Sequence, residues 1–195
     1  MTAMTDASTT VPAGLPHRPL NRADLDAMPD DGHCYELIDG VLVVSPAPRI
    51  RHQDAVAGMY RLLFAACPAD LKVLFAPVDV ALSDDTVMQP DLVVARREDF
   101  TEHDLPTTPV LAVEVLSRST RAFDLLLKRD RLQRPGCAHY WVVDPDVPTI
   151  WAWKLVDDVY VEVGHADGDD LLTVSEPFPL EVAPSSLADG PQRSQ

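Results

Sequence analysis

The chain has only three cysteines in 195 residues, Cys34, Cys67 and Cys137. An odd number with no Cys-x-x-Cys pair offers neither a disulfide framework nor a structural zinc site, so reduced thiols in a cytoplasmic protein are the expectation. Long apolar runs are missing as well. No stretch approaches a membrane span, and the opening MTAMTDASTTVPAG lacks a basic start followed by an apolar core, so no signal peptide is expected. Positive charge is scarce: Lys and Arg number 16 against 31 Asp and Glu, a formal charge of -15 that argues against broad non-specific affinity for nucleic acid. There is no Gly-rich phosphate loop, HExxH helix, GxSxG elbow or internal repeat. The six histidines are scattered, and none is a metal ligand by spacing.

What is present suits one globular domain. The apolar fraction is 46% and the charged fraction 24%, and a chain of this length buries about 70% of its unfolded surface. A Thr-, Ala- and Pro-rich leader over residues 1–18 is expected to be disordered, followed by a single domain over 19–187 and a frayed tail over 188–195. The basic residues are unevenly placed. Arg118, Arg121, Lys128, Arg129, Arg131 and Arg134 face only Asp124 and Asp130 in the same segment, whereas residues 157–170 are acidic. One face suited to phosphate, or a surface asymmetry with no ligand, follows equally from this pattern.

Along the chain, Asn21 is a candidate cap for a short helix carrying Leu25 and Met28, stopped by Pro29. The runs at 35–38 and 41–44, joined by Asp39-Gly40, predict a hairpin. Val56, Met59, Tyr60 and Leu63 lie at helical spacing. Residues 71–82 alternate loosely, with Pro77 marking an edge or bulge. Strands are expected at 92–95 and 110–116, separated by a surface loop with Pro106 and Pro109. A helix from Arg121 to Arg134, capped by Ser119 or Thr120 and ended by Pro135-Gly136, leads to a strand at 140–143, so that the strands on either side of it run parallel. Runs at 150–155 and 159–163 predict a final antiparallel pair turned at Asp157-Asp158. PFPLEVAPSSLAD adds a short strand and turn.

Four residues carry the chemistry. Asp91 opens the apolar run LVVA, and Glu114 sits inside VLAVEVL, where a carboxylate is costly to bury without a cation or donor beside it. Neighbouring strands would let one divalent cation offset the repulsion of the pair, while Lys128 supplies positive charge. Each residue also has a plain reading. Asp91 serves as a turn or cap residue, Glu114 as a partner of Arg118 or Arg121, and Lys128 as an exposed ion pair with Asp124. Glu36, just before the hairpin turn, is either a further member of the cleft or a solvent-facing strand residue.

YELIDG, SPAPRIRHQ, FAPVDVAL, QPDLVV, VEVLSRSTR, the lysine of LLLKRD and HYWVVDPD, in that order over about residues 35–155, resemble the putative restriction endonuclease family of the PD-(D/E)XK nuclease superfamily. The resemblance implies an α/β fold with a restriction-endonuclease-like core, a mixed central β-sheet flanked by helices. It implies that Asp91 and Glu114 are metal ligands and that Lys128, from the following helix, replaces the superfamily lysine two positions after the glutamate, where Leu116 stands. Glu36 matches the family's early glutamate. The chain departs from the family in carrying Leu132 where a tyrosine is usual, and SRST for Ser-Pro-Ser-Thr.

Function follows as expectation: a Mg- or Mn-dependent nuclease hydrolysing phosphodiester bonds in DNA, with RNA left open and a homodimer as the assembly. The alternative is a non-catalytic nucleic-acid-binding or protein-interaction module built on a nuclease fold. A third reading is a homodimeric structural domain using Trp141, Trp151 and Trp153 as interface, for which core packing is an equal account.

Overall fold

The computed structural model describes residues 16–117 and 123–188. Most of the expected leader, the expected cap at Ser119 or Thr120, Arg118, Arg121 and the end of the tail therefore lie outside the described residues. The first element is the short helix α1 (Arg22–Asp26), where the Asn21 side chain accepts from the Asp24 N–H and Asp24 answers the Asn21 N–H, a reciprocal cap. The hairpin β1 (Cys34–Ile38) and β2 (Val41–Ser45) turns through Asp39 and Gly40 at φ 50° and 76°. Both are left-handed values, which an Asp-Gly pair tolerates better than most dipeptides.

The long helix α2 (Ile50–Ala66) follows, then β3 (Leu71–Phe75) and β4 (Asp79–Ser83). Residues 71–82, read from sequence as one loosely alternating stretch, are thus two strands divided around Pro77, and they enter different sheets. Proline cannot donate to a ladder, which is where the chain changes layer. After β5 (Thr86–Met88) and β6 (Leu92–Arg96), the loop with Pro106 contains a two-residue strand, β7 (Asp104–Leu105), not expected from its polarity. Strand β8 (Leu111–Val115) leads to a π-helical turn (Phe123–Lys128) and α3 (Arg129–Gln133). The predicted single helix over 121–134 is therefore wound in two ways among its described residues. The remaining elements are β9 (His139–Asp144), β10 (Thr149–Val156), β11 (Val159–Asp167), β12 (Leu172–Val174), β13 (Leu180–Val182) and α4 (Ser185–Ala188).

A six-stranded mixed sheet runs β11-β10-β9-β8-β6-β3, and a five-stranded sheet runs β2-β1-β5-β4-β7. Strands β8 and β9 are parallel, as the crossover predicts, and β10 and β11 form the expected antiparallel pair. Alternation on β8 separates two cores. Leu111, Val113 and Val115 face the cluster that includes Met59 and Leu63 of α2, Leu187 of α4 and Trp141. Ala112 and Leu116 face the cluster of Leu132, Tyr140, Val142 and Trp153, which also takes Ile38 and Met88 from the smaller sheet. Trp141 and Trp153 thus belong to the core. Helix α4 packs so close to α2 that a Cβ on Gly58 would lie 2.8 Å from the Leu187 carbonyl oxygen. Among the described residues no helix is long and apolar enough to cross a membrane.

Candidate active site

Glu114 lies on the β8 face shared by Ala112 and Leu116, under the helical segment that delivers Lys128. Both side chains are buried, and the Lys128 Nζ is 3.1 Å from Glu114 Oε1. The same ammonium is 2.9 Å from Glu36 Oε1. Glu36 comes from the other sheet, so one cation joins the two sheets through two carboxylates. The readings of Lys128 as an exposed helical pair and of Glu36 as a solvent-facing residue are both overturned, since they are 4% and 3% exposed. Lysine reaches this depth because its stem runs on the helical stripe that carries the partly buried Leu125 and the wholly buried Leu132.

Asp91 sits one step beyond the pairing of Leu92 with Val113, opposite Glu114 on the adjacent strand. Its Oδ2 accepts the Val115 N–H at 2.8 Å, which fixes the carboxylate against the strand that carries Glu114. His52 Nε2 is 3.3 Å from the same oxygen. Glu36 is fixed by the Gln89 N–H, donated to Oε1 at 2.7 Å. The Gln89 side chain donates in turn to Asp79 at 2.8 Å and accepts from the Cys34 thiol at 3.2 Å. Burial, with the charge of Glu36 next, raises the Cys34 thiol to about 12; Asp91 and Glu114 push the same way and Lys128 opposes them. All four predicted residues therefore act electrostatically on one point.

Sequence reasoning missed His52, Gln89 and Cys34. His52 had a legible signal, because it falls in step with Val56, Met59 and Leu63 on the buried stripe of α2. Gln89 contributes to Glu36 through its main chain, which no residue identity announces. The basic run is less available than its sequence suggests: Arg131 bonds Asp39 and Asp130, Arg134 pairs with Asp130 at 2.9 Å, and Arg129 lies over the Trp153 ring at 5.2 Å. The Leu132 departure is also different in kind from a lost surface hydroxyl. Leu132 is wholly buried, so a tyrosine there would have to be accommodated in the core.

Among the described residues no three His, Cys, Asp or Glu side chains form a ready-made metal cage. The donors nevertheless fit a hard divalent cation. Two carboxylates, Glu36 and Glu114, hold one ammonium and Asp91 lies on the strand beside Glu114, and a cation such as Mg commonly takes one or two carboxylates, with water and substrate phosphate completing its shell.

A mixed sheet with an aspartate and a glutamate on neighbouring strands and a lysine from the next helix defines a restriction-endonuclease-like, nuclease-class core. The chain belongs to the family described as Uma2, putative restriction endonuclease, whose model matches residues 22–188. In fold it is similar to a putative nuclease belonging to DUF820 from Anabaena variabilis ATCC 29413, with a TM-score of 0.66, 17% identity, and 87% of this chain and 98% of that chain covered. The type IIG restriction endonuclease BpuSI overlaps it at a TM-score of 0.39 and 14% identity, over 76% of this chain and 16% of that one. No curated protein matches the chain.

Proposed function

We propose that this protein is a Mg- or Mn-dependent nuclease that hydrolyses phosphodiester bonds in DNA. The observation that carries the reading is the buried Lys128 ammonium held between Glu36 and Glu114, beside an Asp91 whose carboxylate is fixed on the Val115 N–H. In this reading Asp91 and Glu114 hold the cation. A cation held there would supply Lewis-acid chemistry, polarising a phosphoryl oxygen and lowering the pKa of a bound water. Val115 and His52 orient Asp91, so that its carboxylate need not reorganise when substrate arrives. Lys128 neutralises charge that builds on the attacked phosphate, and Glu36, itself held by Gln89, keeps the ammonium in place. Two such sites in a homodimer would serve two strands.

The test combines metal titration with cleavage. Calorimetry with Mg and Mn is expected to show binding that Asp91→Asn and Glu114→Gln each abolish or strongly weaken, with hydrolysis of DNA lost in parallel. A protein that binds neither metal and cuts neither single-stranded nor duplex DNA nor RNA is a non-catalytic module. That alternative draws on the net charge of -15 and on an ammonium already engaged by two carboxylates.

A further inference from the structure

The two halves of the site belong to different sheets, and a link of three residues joins them. Strand β5, in the five-stranded sheet, ends at Met88 and β6, in the six-stranded sheet, begins at Leu92, so Gln89, Pro90 and Asp91 carry the chain across. The Asp91 end is tied to the larger sheet, where Oδ2 accepts the Val115 N–H at 2.8 Å and the carbonyl accepts the Ala76 N–H at 3.0 Å. The Gln89 end is tied to the ammonium half. Its N–H meets Glu36 Oε1 at 2.7 Å, and the same oxygen lies 2.9 Å from Lys128 Nζ. Pro90 stands between the two ends. Its ring fixes its own φ and confines the residue before it to extended backbone, so the link is stiff and a turn at one end is passed to the other.

The side chain of Gln89 holds the near end of that link in place. The pairing of Val80 with Met88 brings Asp79 opposite Gln89, and Nε2 donates to Asp79 Oδ1 at 2.8 Å while Oε1 accepts the Cys34 thiol at 3.2 Å. These partners leave the amide one orientation. A carboxylate only accepts and the thiol here donates, so the amide nitrogen faces Asp79 and the oxygen faces Cys34. Asp79 is steadied in turn by Arg22, whose Nη2 lies 3.2 Å from Oδ2 and which also pairs with Asp26 and Asp104. Cys34 and Glu36 are two residues apart on β1 and share a face. Gln89 is therefore bound to β1 twice, by its main chain at Glu36 and by its side chain at Cys34. Such bonds fix an angle, where apolar contact would fix only a distance.

We propose that Gln89 is a positioning residue of the site: clamped between Asp79 and Cys34, it sets Glu36 and Lys128 through its N–H and Asp91 through Pro90, and so holds the two halves in register. The consequence for catalysis rests on the nuclease reading; the geometry rests on the hydrogen bonds alone. Two amides report it without any activity, because the N–H of residue 89 and that of Val115 each end on a carboxylate of the site. Their hydrogen exchange is measured by NMR on the full-length chain in metal-free buffer. Gln89→Met keeps the main-chain N–H and the length of the side chain, and both amides are expected to exchange at least about tenfold faster while those of β9 are unchanged. Gln89→Glu should do the same by setting a carboxylate against Asp79. Adding Asp79→Asn returns a donor opposite an acceptor and should restore both amides. Gln89 and Asp79 border a cavity of about 450 Å³, so these changes do not open the core. In cleavage, Gln89→Met is expected to lower kcat by about tenfold or more and to leave KM nearly unmoved.

Unchanged exchange in Gln89→Met overturns the proposal, and so does a response confined to residue 89, since Asp91 is then set independently. Faster exchange that spreads through β9 and is not restored by Asp79→Asn also overturns it, because Gln89 then only stabilises the fold. Cleavage by the unmodified protein is scored separately. Cutting that Gln89→Met leaves at full kcat rejects the positioning role and keeps the nuclease; paired amides that respond as expected in a chain that cuts nothing under any metal keep the positioning role and reject the nuclease.

Discussion

Replacing Lys128 by methionine keeps the length of the stem and removes the ammonium that two buried carboxylates share. Glu36 and Glu114 have side chains only 4% and 2% exposed, so water cannot take over that role without opening the core. Removing one partner of a buried ion pair costs about 3–5 kcal/mol, from a whole-domain stability of about 5–15 kcal/mol. In a chain of this size each kcal/mol lowers the unfolding midpoint by about 2–4 °C. Lys128→Met is therefore expected to melt roughly 6–20 °C below the unmodified protein. Circular dichroism in metal-free buffer reads this directly, and the triple variant Lys128→Met, Glu36→Gln, Glu114→Gln should regain most of the loss because no charge is left unpaired. Added Mg should stabilise Lys128→Met more than the unmodified chain, as the cation gains a glutamate without a competing ammonium. A midpoint within about 1 °C of the unmodified protein would refute the reasoning, since no buried charge can then have been uncovered.

His52→Ala removes a group that orients Asp91, and metal affinity measured by calorimetry should fall by about 10–100-fold with the fold intact. Burial raises the Cys34 thiol from its ordinary 9.0 to about 12, so the folded chain keeps a proton that the unfolded chain has lost. The stability this supplies is complete below about pH 9 and disappears as pH rises towards about 12; Cys34→Ala should therefore flatten that limb in alkaline denaturation followed by fluorescence. Alkylation at pH 8 should leave Cys34 unmodified in the folded state. Gly58→Ala should destabilise by about 1–3 kcal/mol in urea, because the new methyl must displace the Leu187 backbone.

Strand and hairpin positions were legible because their signals are local. Asp39-Gly40 and Asp157-Asp158 both turn hairpins at positive φ, and the alternation around Glu114 assigned it to the face of Ala112 and Leu116. The stripe that turns Lys128 inward was readable at helical spacing, even though the turn before it is π-wound. What sequence did not supply was the meeting of sheets. Nothing in residues 71–82 says that β3 and β4 enter different layers, and it is from the smaller sheet that Glu36 reaches the Lys128 ammonium shared with Glu114. Partners set by the main chain, such as the Gln89 N–H on Glu36 or the Val115 N–H on Asp91, leave no trace in residue identity. The free look of the basic run failed in part for a similar reason: Arg131 has a partner 92 positions away, Asp39, and Arg129 lies over the Trp153 ring.

The hairpin and the helix touch twice, at Glu36 with Lys128 and at Asp39 with Arg131, each pair three residues from the other along its own element. The inner contact is dry and the outer one wet, since the Asp39 side chain is 48% exposed. Dissolved ions therefore act on the two unequally. Rising salt screens the outer fastening and leaves the inner one holding, so the Asp39 end loosens from the helix while β1 stays paired with β5 and the Gly40 N–H stays on the Asp85 carbonyl. Hydrogen exchange at β2 should then quicken with ionic strength while the amides of β8 stay protected, making the hairpin tip the part of the cleft that senses the surrounding electrolyte.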